Sequence, residues 1–246
     1  MTSPVISIVT GTRDRPSSFA RFLKSLVEHT ELDHEVIIAD ASEGQQYVWE
    51  PKPVRQRVGW TRIHEKPPMG TLRGYNAAFR LARGRYACWM NDDCEMLPGW
   101  DREAVEQMDA QPDVGMGIIY FNDKRNGTVK DRFFEYQHFY DVPVPNFAIV
   151  RREIGEKMGW FDESLGNMYG CDTDFGLQMI VDGHGVMPLW GCRILHHREM
   201  DQQRTHNMHR LREDRALFDR KWDGRKEEVK KAFTPWVHLL KPSKCE

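Results

Sequence analysis

The segment that decides the fold is "RYACWMNDDCEMLPGW", residues 85–100. An apolar run, Tyr86 to Met90, stops at Asn91-Asp92-Asp93. The run is short and bounded by turn residues, which fits a buried strand. Two adjacent carboxylates then stand where the strand leaves the core. Such a pair is either a polar turn or a cation site. Hard divalent metals are usually held by one or two carboxylates, with substrate phosphates completing the shell.

Outward from this segment, the first 110 residues alternate strand and helix patterns. "VISIVT", residues 5–10, is a β-branched run ended by Gly11. "PSSFARFLKSLVEHT" follows, with Phe19, Phe22, Leu23, Leu26 and Val27 on one helical face and Pro16 at its start. "HEVIIADAS", residues 34–42, and "QRVGWTRIHE" read as further strands. "GTLRGYNAAFRLARG", residues 70–84, reads as a helix closed by Gly84, and "GWDREAVEQMDA" as another helix. The alternation predicts an α/β protein with a mostly parallel central sheet and helices on both faces. Ligands of such sheets lie outside the carboxyl ends of the strands. Three of those ends carry polar clusters: Thr10-Gly11-Thr12-Arg13, Asp40-Ala41-Ser42 and Asn91-Asp92-Asp93.

The second half is less regular. "VGMGIIYF", residues 114–121, predicts a strand, and residues 122–146 a long loop or small hairpin. That stretch carries Phe133, Phe134, Tyr136, Phe139 and Tyr140, aromatic faces suited either to a sugar ring or to plain packing. "FAIVRREIGEKMGWFDESL" predicts a strand and a helix, "DTDFGLQMIVDG" a helix, "VMPLWGCRILHH" a strand and "HRLREDRALFDRKW" a charged helix. One domain over residues 1–222 is expected, divided near 110 into halves 1–110 and 111–200, with a C-terminal helical extension over 201–246.

Composition narrows the function. The net charge of −2 over 246 residues provides no global field toward nucleic acid or an anionic membrane. The basic excess in residues 201–246 is interleaved with acids, as on a solvated helix face. The five cysteines share no CxxC spacing and read as free thiols in a reducing compartment. The start of the chain lacks the pattern of a signal peptide, and no apolar run reaches the roughly 18–20 residues of a membrane span. The expectation is a cytoplasmic protein, with a peripheral contact at the inner membrane face left open.

Three further residue groups carry chemistry. Asp172 and Asp174 open a predicted helix; they are either charge complements to its N-terminus or a general base. His196 and His197 end a predicted strand, and imidazole suits Mn2+. Arg73 and Asn76 lie in "GTLRGYNAA", where Arg73 is either solvated or in contact with a phosphate.

The order of "TGTRDRP", "DAS", "GTLRGYNAAFRLARGRY", "NDDCEMLPGW", "VRREIGEKMGWFDESL", "YGCDTDFGLQ", "LHHRE" and "FDRKW" resembles the inverting family 2 glycosyltransferases of the GT-A fold, from about Val5 to Trp222. The resemblance implies a Rossmann-like nucleotide-binding half, an acceptor-side half and a nucleoside-diphosphate sugar donor, with UDP favoured. It assigns Gly11, Thr12, Arg13, Arg15 and Asp40 to the base and ribose, with Gly11 in place of the family's proline and Arg13 in place of an aromatic residue. It matches Arg73 and Asn76 to the helix leading into the metal strand. Asp92 would face the ribose, and Asp93 with His196 would bind Mn2+ or Mg2+, His197 being the second choice. Asp172 would be the base, with Cys171 where the family commonly has glutamate. The implied acceptor is a hydroxyl of a glycan, a lipid-linked sugar or, less favoured, a nucleic acid. Two other classes fit parts of the pattern: an inactive nucleotide-sugar-binding module and a nucleotidyltransferase. The oligomeric state is not legible.

Overall fold

The structure is a computed structural model and describes residues 3–43, 58–125, 128–129, 137–166, 169–199 and 201–240. Its first half runs β1 (Ile6–Thr12), α1 (Pro16–His29), β2 (His34–Asp40), β3 (Val58–His64), α2 (Thr71–Phe79), β4 (Tyr86–Asn91), β5 (Cys94–Met96) and α3 (Trp100–Ala110). The second half runs β6 (Val114–Arg125), β7 (Thr128–Val129), β8 (Gln137–Phe139), β9 (Val142–Val144), β10 (Ala148–Arg151), α4 (Arg152–Met158), α5 (Cys171–Val181), β11 (Gly185–His196), α6 (Gln202–Trp222) and α7 (Lys226–Phe233). One main sheet has the order β3-β2-β1-β4-β10-β6-β11-β5, with β7 paired to β6. The pairs β2–β3, β1–β2, β1–β4 and β6–β11 are parallel. β10 enters antiparallel between β4 and β6, and β5 is antiparallel to β11.

The period of two explains why these apolar runs form strands. Ile6, Ile8, Tyr86, Cys88 and Met90 face a core with Phe22, Leu23 and Leu26 of α1 and Trp100, Ala104 and Met108 of α3. Val9, Ala87 and Trp89 face a second core with Tyr75, Phe79, Phe175, Trp222 and Phe233. A parallel strand covered on both faces reads as a continuous apolar run, as Tyr86–Met90 does. Each buried Leu or Phe contributes about 2 kcal/mol of transfer free energy, so both helix layers hold the sheet firmly.

The structure corrects one expectation, bears out one alternative of another and adds an element. The helix from residue 70 ends at Phe79, well before Gly84. The backbone N–H groups of Arg83 and Gly84 donate to Glu35 Oε1 (2.6 Å) and Ser7 Oγ (2.8 Å), partners off the helix. Gly84 is needed for close approach rather than as a cap: a Cβ there would lie 2.6 Å from the backbone nitrogen of Ser7. Second, among the described residues of 122–146 the hairpin alternative holds. β6 continues to Arg125 and turns back into β7, and β8 pairs with β9. Third, the chain after the acid pair returns as β5, an element the local pattern did not reveal.

Phe133, Phe134 and Tyr136 lie outside the described residues. Phe139 packs edge-on to Phe218 at 5.1 Å and Tyr140 donates its hydroxyl to the Trp222 carbonyl at 2.6 Å, so these two rings anchor α6. In the C-terminal segment Phe233 and Leu239 are buried against the body, while Val237 is exposed. Cys88, Cys94, Cys171 and Cys192 are free and buried, as expected of thiols; Cys245 lies outside the described residues. No helix among the described residues is long and apolar enough to cross a membrane.

Candidate active site

The parallel register brings the three polar strand ends together. Thr12 of β1 is opposite Asp40 of β2, and Gly11 is opposite both Ala39 and Asn91. A Cβ on Gly11 would lie 3.0 Å from the Tyr75 ring, whose hydroxyl donates to the Met90 carbonyl at 2.9 Å. That crowding accounts for a glycine at this turn. Asp14, at φ +50, carries the chain from β1 into α1, and its N–H donates to Ser42 Oγ at 2.9 Å. The β1–α1 turn is thus fastened to the end of β2.

Asp92 and Asp93 follow β4 and are both buried. Asp92 accepts from Thr12 Oγ1 at 2.9 Å and pairs with Arg15 Nη1. Asp93 Oδ2 lies 3.2 Å from Arg15 Nη2 and 3.5 Å from Arg204 Nη2. Arg15 Nε donates to Asp201 Oδ2 at 2.6 Å. One guanidinium therefore bridges three carboxylates, and the cation beside the acid pair comes first from the protein itself. Burial opposes the charge on Arg15, but Asp92, Asp93 and Asp201 outweigh it and hold the guanidinium protonated. Burial pushes Asp92 up to about 7 against the pull of Arg15. Burial also acts on Asp93, but there His196, Arg15 and Arg204 win and hold the carboxyl well below the usual range. The two neighbours are thus driven apart in proton affinity.

The remaining oxygen of the pair, Asp93 Oδ1, faces His196 Nε2 at 3.3 Å. His196 ends β11, and its neighbour His197 pairs instead with Glu95 Oε2 at 2.6 Å. A buried carboxylate oxygen and an imidazole nitrogen directed at each other suit Mn2+ or Mg2+ as a donor pair. Among the described residues no group of three or more His, Cys, Asp or Glu side chains could hold a metal ion by itself. The pair fits a metal whose shell is completed by water and phosphate oxygens, the usual arrangement for Mg2+.

The other expected residues are placed as follows. Arg13 is partly exposed and pairs with Glu43 at 3.3 Å. Asp40 is buried, accepts from the Ser42 N–H at 2.9 Å and pairs with Arg62. Arg73 is largely exposed and pairs with Glu163 at 3.3 Å, not with the acid pair. Asn76 is buried and spans Phe161, donating to its carbonyl (2.8 Å) and accepting from its N–H (3.1 Å). Its amide is committed to joining α2 to the chain after α4.

Asp172 and Asp174 behave differently. Gly170, at φ +86, sets up the start of α5. Asp174 is fully buried and accepts from Trp222 Nε1 (2.7 Å), Gln178 Nε2 (2.6 Å) and Lys221 Nζ (3.0 Å). Asp172 accepts from the Thr173 N–H at 2.8 Å and pairs with no cation among the described residues. Burial pushes its carboxyl up to about 6. A carboxyl tuned toward neutrality and left uncommitted can take a proton.

Sequence reasoning missed Arg204 and Asp201. Asp201 caps α6 by accepting from the Arg204 N–H at 2.8 Å while also holding Arg15. Nothing local distinguishes Arg204 from the other basic residues of that segment.

Comparisons with known proteins agree with this fold. The family model described as "Glycosyl transferase family 2" matches residues 7–178. O-antigen biosynthesis protein RfbC of Myxococcus xanthus is 24% identical over 231 residues, covering 79% of this chain and 17% of its own length. The chain thus spans less than a fifth of that relative. Mannosyltransferase PcManGT from Pyrobaculum calidifontis, solved with GDP-Man and Mn2+, superposes with a TM-score of 0.64 at 16% identity, over 95% of this chain and 70% of that one. S. aureus TarS, residues 1–349 with UDP-GlcNAc, gives a TM-score of 0.68 at 13% identity, over 94% and 71%.

Proposed function

This chain belongs to glycosyl transferase family 2 and has the GT-A fold, and from that premise we propose that it transfers a sugar from a nucleoside-diphosphate sugar to an acceptor hydroxyl with inversion at the anomeric carbon. The observation that carries the reading is the meeting of Thr12, Arg15, Asp92, Asp93 and His196 at the carboxyl ends of β1, β4 and β11. This is where an open α/β sheet binds its ligand.

The donor's base and ribose lie across Gly11, Thr12, Arg13, Arg15, Asp40 and Asp92. Arg13, exposed on its outer side, can stack on a base. UDP is the favoured nucleotide, because Asp40 sits where the family's base-reading acid is expected; related structures hold either a UDP or a GDP sugar. Arg73 and Asn76 flank the donor from α2, Arg73 as an exposed cation and Asn76 as the brace that positions the helix. Asp93 and His196 would hold Mn2+ or Mg2+, whose charge stabilises the departing diphosphate.

Asp172 removes the proton from the acceptor hydroxyl as it attacks, which supports a single displacement and inversion. Its lack of an ion pair among the described residues, beside the fully committed Asp174, favours it as the base. The acceptor is a glycan or lipid-linked sugar, reached by a protein that works in the cytoplasm or at the inner membrane face. The test is a product assay with UDP- and GDP-sugars. Release of free UDP or GDP on adding an acceptor supports the reading. No transfer from either nucleotide sugar, with pyrophosphate released instead from UTP or GTP and a sugar 1-phosphate, would make the protein a nucleotidyltransferase.

A further inference from the structure

We propose that Arg204 is a donor-specificity residue shared between two partners: Asp93, on which it rests in this structure, and the diphosphate of a bound donor. The proposal rests on the glycosyl-transfer reading above.

The two guanidiniums at Asp93 are held very differently. Arg15 contacts Asp92, Asp93 and Asp201 together, and moving it would strand three acids. Arg204 makes a single side-chain contact among the described residues, 3.5 Å from Asp93 Oδ2, at the outer limit of hydrogen bonding. Its backbone is fixed, because its N–H caps onto Asp201 at 2.8 Å. A long cationic side chain on a fixed backbone, weakly tied at its tip, can change partner without refolding anything.

Charge supplies the direction of the exchange. Two guanidiniums, Arg15 and Arg204, already rest on Asp93, beside Asp92 and Asp201. A divalent cation on Asp93 Oδ1 and His196 would repel both guanidiniums, and the one free to leave is Arg204. The diphosphate arriving with that cation then presents oxygens suited to a guanidinium fork. Arg204 therefore opposes the metal alone and favours the nucleoside diphosphate. A monophosphate, lacking the second phosphate, gains much less.

This predicts effects of opposite sign from one substitution, read without turnover. Free Mn2+ is followed by electron paramagnetic resonance in the wild type, Arg204→Gln and Arg204→Lys. UDP, UMP, GDP and GMP are then titrated with Mn2+ present, and thermal melting checks each variant's fold. Arg204→Gln is expected to bind Mn2+ alone roughly three- to tenfold more tightly, since a competing charge is gone. It is expected to bind the preferred diphosphate about tenfold more weakly, with the monophosphate changed less than twofold. Arg204→Lys falls between. Equal losses for diphosphate and monophosphate, or weaker Mn2+ binding, would make Arg204 merely structural and overturn the proposal. If the wild type binds a diphosphate and Arg204→Gln matches it, the proposal alone fails. If the wild type binds neither diphosphate, the glycosyl-transfer reading fails first and this proposal with it.

Discussion

Asp172 and Asp174 stand two residues apart at the start of one helix, yet their environments give them different work. Asp174 is saturated by an indole, an amide and an ammonium group. Asp172 accepts one backbone hydrogen bond, and burial lifts it to about 6. Asp172→Asn is therefore expected to lower kcat by about 10²–10⁴ while nucleotide affinity stays within about twofold. A base must be deprotonated, so the wild-type rate should rise with pH through about 6 and level off above it. A pH–rate profile checks this, and in Asp172→Asn that rise should be absent. That the acid pair and His196 stand at strand ends was legible in sequence, because apolar runs stop there. Arg204 was not, because its role depends on where α6 begins relative to β4, a relation fixed only by tertiary contacts.

At the scale of elements, strands covered on both faces were the easiest to read, since their apolar runs end abruptly at polar turns. Helix ends were harder. α2 stops at Phe79 because Glu35 and Ser7 capture the N–H groups of Arg83 and Gly84, and these partners are far away in sequence. Gly84→Ala would press a Cβ against the backbone of β1, which has no flexible end to yield. A loss of about 2–3 kcal/mol is expected by denaturant titration. Asp174→Ala would leave Trp222 Nε1 without its buried acceptor and the Lys221 ammonium with Asp162 alone. The expected loss is about 3 kcal/mol, or roughly 6–12 °C in Tm by calorimetry. Asp172→Asn should melt within a few degrees of wild type, which separates the structural acid from the proposed base. β5 escaped sequence reading altogether, because three residues of strand carry no periodic signal.

Across the whole molecule, the two cores and the polar strand ends form one system. Phe218, Trp222, Val229 and Phe233 of the C-terminal segment are buried in the same cluster as Trp89 and Phe175. The first turn of that segment meanwhile reaches the acid pair through Asp201 and Arg204. A chain cut after residue 200 would remove Phe218, Trp222 and Phe233, expose the apolar face they cover, Phe139 included, and is expected to lose cooperative unfolding, as followed by circular dichroism. The central claim is a nucleotide site built on Asp93, and calorimetric titration of UDP and GDP, with and without Mn2+, into wild type and Asp93→Ala tests it most directly. The account predicts metal-dependent binding of one nucleotide by the wild type and its loss in Asp93→Ala. Equal binding by both proteins, or no binding of either nucleotide to the wild type with Mn2+ present, would contradict it.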